Sequence, residues 1–170
     1  MSAPDPHESD SIFAEIGRVT VRWAELENAL GLLVVSLLND FQRYTRVVAT
    51  GLSYGALVNL VSSLYLERHE EDEDYGTLRQ LLRRADAVEQ RRNQIVHSTW
   101  RSAGTPHVVT RVKTTARRKG HSIDVENFTA ADFRAVSDEI VAVKNDLVAL
   151  ARSLIEREKA FNTPVFEPGS

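Results

Sequence analysis

One stretch of this chain combines side chains that can move protons with one that binds charge: Arg92-Asn93-Gln94-Ile95-Val96-His97. An imidazole titrates near neutral pH and can take or give a proton there. A guanidinium stays charged and offers a planar fork of N–H groups matched to carboxylate and phosphate oxygens. At about 100° per residue on a helix, Asn93 and His97 lie one turn apart on a shared shoulder. Arg92 instead falls inside the apolar stripe of Leu78, Leu81, Leu82, Ala85, Val96 and Thr99, as does Glu89, with Val88 and Ile95 at one edge. Leaving a charge unpaired on a buried face costs on the order of several kcal/mol, so its presence there has a reason. Either Glu89 and Arg92 form a partly buried pair that fixes packing, or a pocket or subunit interface opens there, lined by Arg92 and His97.

The elements that must hold these residues are mostly helical. Ile12, Ile16, Val19, Trp23, Leu26, Leu30, Leu33 and Leu37 recur at three- and four-residue steps, which predicts a first helix capped at Asp10 or Ser11 and stopped at Asn39-Asp40. A second helical region, about residues 41–69, carries Leu57, Leu60, Val61, Leu64 and Tyr65, with a break or bend where Gly51 and Gly55 bracket Ser53-Tyr54. Glu70 to Asp74 reads as an acidic loop, and the motif helix as about residues 75–100. Ser102 to Pro106 reads as a turn; the β-branched run Val108 to Thr115 and the weakly alternating Ser122 to Phe128 then predict a hairpin at about 107–128. Thr129, with Asp132 three residues on, starts a closing helix through Phe133, Val136, Ile140, Val143, Leu147, Leu150 and Leu154 to about Phe161. The expected fold class is all-α, a four- to five-helix bundle with a small β-hairpin inserted before the last helix. Residues 11–161 form a single domain in this reading, between flexible tails at 1–10 and 162–170.

Composition narrows the function classes. The 170 residues carry no cysteine, which removes disulfides and thiolate chemistry and fits a reducing compartment. The apolar run around Ala29 to Leu38 is far below the roughly 20 residues of a membrane span, and the polar, acidic start is unlike a signal peptide. A cytoplasmic location is expected, with no membrane partner. Net charge is −3, against a protein that coats nucleic acid, yet Arg83 to Lys119 is strongly basic and lets one face meet a polyanion. The remaining histidines, His7, His69, His107 and His121, lack metal-site spacing, and Glu70 to Asp74 lacks the glycine and alternation of an EF-hand. No metal and no cofactor is expected. Ser98 and Ser102 have no nucleophile elbow around them, and Trp23 and Trp100 read as core or interface anchors.

A long helix carrying Arg-Asn-x-x-x-His near its C-terminal end resembles the HEPN family, with Arg92, Asn93 and His97 in that register. The layout is similar too: a long first helix with the Trp-x-x-Leu-Glu segment Trp23 to Glu27, a second helical element and an amphipathic closing helix. The resemblance covers about residues 11–161, and its specific part is the motif helix. It implies a helical bundle that dimerises with motif helices facing each other, and a metal-independent endoribonuclease. Arg92 and His97 then take the catalytic roles with Asn93 in support, and Arg91, Arg111 and Lys113 are candidates for substrate binding. The 2′-hydroxyl of RNA would be the nucleophile, giving a 2′,3′-cyclic phosphate and a 5′-hydroxyl. One Arg and one His make a thin site, and a two-fold dimer supplies a second copy of each. The resemblance extends to a toxin or defence effector with a neutralising protein partner. The position two after His97 is Thr99, where members paired with a nucleotidyltransferase antitoxin often carry tyrosine. The alternative is a catalytically inactive HEPN-like dimeric interaction module.

Overall fold

The structure is a computed structural model describing residues 6–38, 47, 49–69, 72–105, 107–117 and 120–161. The described chain is mostly helical, with four helices and a three-stranded sheet: α1 (Pro6–Leu38), α2 (Tyr54–His69), α3 (Glu73–Val96), β1 (Thr99–Ser102), β2 (Val108–Arg117), β3 (Gly120–Thr129) and α4 (Ala130–Phe161). No described helix is long and apolar enough to cross a membrane.

Several boundaries correct the sequence reading. The first helix begins at Pro6, not Ser11, because proline at a first helical position gives up only an N–H that is unpaired there anyway. Residues 6–10 therefore extend the helix instead of forming a tail, whereas the expected stop at Asn39-Asp40 and the tail at 162–170 lie outside the described residues. The expected break before α2 falls at Gly51 to Ser53, and Gly55 lies within the helix; the backbone N–H of Ala56 donates to Ser53 Oγ at 3.4 Å. Asp72 caps α3, its carboxylate accepting from the Tyr75 N–H at 3.0 Å, so Glu73 and Asp74 are helical and not loop.

The largest correction is at the far end of α3. The helix stops at Val96, and Thr99 to Ser102 form a strand. The sheet order is β1-β2-β3, both pairings antiparallel, so the expected hairpin has a third strand on its other edge. Two interactions explain the switch. The indole N–H of Trp100 donates to the Ile95 carbonyl at 2.9 Å, satisfying an acceptor the helix end leaves open. Trp100 also packs edge-on against Phe128 and Phe133, at centroid distances of 5.2 and 5.1 Å. Gly104, at φ 74°, and His107, at φ 62°, turn the chain from β1 to β2 in left-handed conformations.

The described residues divide into two compact units, one within Met1–Glu25 and Arg84–Ala142, the other within Leu26–Arg83 and Val143–Ser170. The first buries Val19, Trp23, Ala85, Val88, Ile95, Phe133, Val136 and Ile140 and carries the sheet and the motif. It also buries Glu15, which accepts from Arg18 Nη1 at 2.9 Å and Arg134 Nε at 2.8 Å. The second buries Leu30, Leu33, Leu57, Val61, Tyr65, Leu78, Leu147 and Leu154. There the Tyr65 hydroxyl donates to Asp72 at 2.8 Å; burial first, then that carboxylate, push the phenol well above its usual range.

Candidate functional site

Six of the α3 residues are buried: Leu78, Leu81, Leu82, Ala85, Val88 and Ile95. At about 100° per residue, Arg92 lies in the middle of that buried face, and Glu89, Asn93 and His97 step progressively off it. Val88 and Ile95, at the edge of the expected stripe, are both buried, whereas Val96 is half-buried and Thr99 exposed on β1.

Arg92 is half-buried, with its guanidinium over the Trp23 ring at 5.6 Å from the centroid. Its Nη1 donates to Asn93 Oδ1 at 2.9 Å, and Asn93 Nδ2 donates in turn to Glu89 Oε1. Glu89 and Arg92 therefore do not pair directly; Asn93 sits between them as acceptor for one and donor to the other. Asn93 is then no ordinary surface amide, since both ends of its side chain are used. Arg92 Nε is buried and has no hydrogen-bond partner among the described residues. A buried donor left open costs about 1–3 kcal/mol, so the guanidinium is held in place without being fully satisfied.

His97 follows the last helical residue, its backbone N–H donating to the Asn93 carbonyl at 3.0 Å. That bond continues the helical spacing by one residue and fixes His97 one turn beyond Asn93. Its side chain is exposed. Five residues of helix rotate Arg92 and His97 about 140° apart. One chain thus brings together Glu89, Arg92 and Asn93 but turns His97 to solvent.

The remaining candidates separate by burial. Arg91 is exposed, and its charge adds to the lowering of the Asp132 carboxyl, which is driven mainly by the Thr129 N–H at 2.7 Å and hydroxyl at 2.8 Å. Lys113 is exposed on β2. Arg111, a candidate for substrate binding, is buried at 7% exposure and pairs with Glu126 at 3.2 Å. Trp23 as the platform for Arg92 and Trp100 as the acceptor's partner at the end of α3 were both legible as anchors but not in these roles. Among the described residues, no group of three or more His, Cys, Asp or Glu is placed to hold a metal ion.

Comparison of the chain with protein-family models, curated proteins and solved structures gives no match in any of the three.

Proposed function

We propose that this chain is a HEPN-like, metal-independent endoribonuclease acting as a homodimer through α3. The observation that carries the reading is the Glu89–Asn93–Arg92 hydrogen-bond chain on a helix whose next turn presents an exposed His97. A guanidinium held by Asn93 is oriented before substrate arrives, which is what stabilisation of a phosphorane-like transition state needs. The exposed imidazole is free to reach a 2′-hydroxyl or a leaving 5′-oxygen and to exchange protons with water.

In this reading catalysis is shared between subunits. Within one chain Arg92 and His97 diverge, so a two-fold axis near the end of α3 pairs the Arg92 of one copy with the His97 of the other. The ribose 2′-oxygen attacks its own phosphorus as one imidazole takes its proton. The P–O5′ bond breaks, and the same imidazole, now protonated, gives that proton to the leaving oxygen. The products are a 2′,3′-cyclic phosphate and a 5′-hydroxyl. A four-helix bundle core, a cytoplasmic setting and a role as toxin or defence effector held by a protein partner belong to the same proposal.

A second reading, a catalytically silent interaction module, draws on Arg92 lying over Trp23, a contact that is structural in its own right. Incubating the purified wild-type and His97→Ala proteins with RNA separates the two. Cleavage by wild type alone, with cyclic-phosphate ends, supports the nuclease; no cleavage by either favours the module.

A further inference from the structure

Arg111 lies mid-strand on β2, with Trp100 of β1 as its register partner on one side and Glu126 of β3 on the other. Directly opposed residues of antiparallel strands project from the same face, so the guanidinium emerges on the side that carries Trp100 and, two pairs along, Phe128. That side packs on Phe133 at the start of α4, which explains why an arginine in a surface hairpin is only 7% exposed.

Its hydrogen bonding is incomplete. Nη2 meets Glu126 Oε2 at 3.2 Å, while Nε and Nη1 are buried and have no partner among the described residues. A buried guanidinium with two open N–H groups is costly unless an acceptor reaches it in some working state. The one acid on it is asymmetric: the Glu126 side chain is 56% exposed against 9% for Arg111. A solvated carboxylate gives up such a contact readily. Two positions along the same face, Lys113 is exposed and lies opposite Asp124 of β3.

We propose that Arg111 is a phosphate-binding subsite, with Glu126 as a placeholder carboxylate on Nη2 that swings to solvent when a phosphate takes its place there and reaches the adjoining open Nη1. The phosphate comes either from a ribose-phosphate chain next to the scissile linkage, which rests on the nuclease reading above, or from free inorganic phosphate. Neither source needs His97.

Thermal unfolding of the full chain, in inorganic phosphate against chloride at matched ionic strength, tests the subsite. Phosphate should raise the melting temperature of wild type, raise that of Glu126→Gln further, and leave Arg111→Met unmoved. An equal rise in wild type and Arg111→Met overturns the proposal. Should Arg111→Met not fold, a phosphate response of Glu126→Gln no larger than that of wild type overturns it instead. Anisotropy with a 2′-O-methyl oligoribonucleotide, which cannot be cleaved, identifies the source: Arg111→Met should bind about tenfold more weakly if the backbone is the ligand. Oligonucleotide binding indifferent to Arg111, beside an Arg111-dependent phosphate response, assigns the site to free phosphate. Cleavage unaffected by His97→Ala alongside that same response would remove the nuclease mechanism and leave the subsite standing.

Discussion

The guanidinium of Arg92 lies over the indole of Trp23, 5.6 Å from the ring centroid, at the centre of the buried face of α3. This contact and the open Nε have opposite signs. A partly desolvated cation–π contact contributes about 0.5–2 kcal/mol, and an unpaired buried donor costs about 1–3 kcal/mol. Arg92→Met, which fills the same apolar position but removes the Nη1–Asn93 hydrogen bond as well as the open Nε, is therefore expected to unfold in urea within about 2 kcal/mol of wild type. RNA cleavage by the same variant should be lost. A folded, fully active Arg92→Met protein would remove Arg92 from the chemistry.

Asn93 uses both ends of its amide, and Asn93→Ala strands Glu89 and Arg92 together. A loss of about 1–2 kcal/mol in denaturant unfolding is expected, with reduced cleavage. Asn93→Asp tests the direction of the relay. An aspartate still accepts from Arg92 but cannot donate to Glu89, so it should unfold at lower denaturant than wild type at neutral pH.

The start of α4 has its own acid signature. Hydrogen bonds from Thr129 hold the Asp132 carboxyl below its usual 3.8, so the folded state binds its proton more weakly than the unfolded chain. The sign is that of a depressed acid: its contribution is complete above about pH 4 and is lost as pH falls through the lower folded value. Wild type should exceed Asp132→Asn in stability at neutral pH, with the gap closing under acid titration. A gap that persists at the acid end would mean the cap does not depend on charge.

Tyr65 gives the opposite end of the scale. Its phenol is raised by burial and by Asp72, so the folded state keeps the proton where the unfolded chain has lost it. Stability from this group is whole below about pH 10 and declines as pH rises above that. Tyr65→Phe should cost about 1 kcal/mol at neutral pH through the lost hydrogen bond, and should flatten the alkaline decline in thermal unfolding.

The helices were legible because each long one writes its buried face at three- and four-residue steps: Val19, Trp23, Leu26, Leu30 and Leu33 on α1, and Phe133, Val136, Ile140, Val143 and Leu147 on α4. Thr129 with Asp132 announced the start of α4 through local chemistry alone. Strand β1 was not legible. Thr99 continues the helical spacing of the apolar stripe and Ser102 reads as a turn, and only pairing with Val109 to Val112 and the Trp100 contacts make a strand of Thr99 to Ser102. The motif was visible as residue types in a register, but the Asn93 relay depends on side-chain rotamers. Burial of Arg111 depends on an aromatic cluster assembled from three elements, β1, β3 and α4. Neither leaves a mark in local sequence.

The sharing of one active site between two copies is tested most directly by mixing two inactive variants. Arg92→Ala and His97→Ala should each fail to cleave RNA alone. Unfolded together and refolded, they should form mixed dimers in which one site keeps the Arg92 of one chain and the His97 of the other, restoring part of the wild-type rate. A mixture that stays as inactive as its components, beside an active wild type, would contradict the shared site.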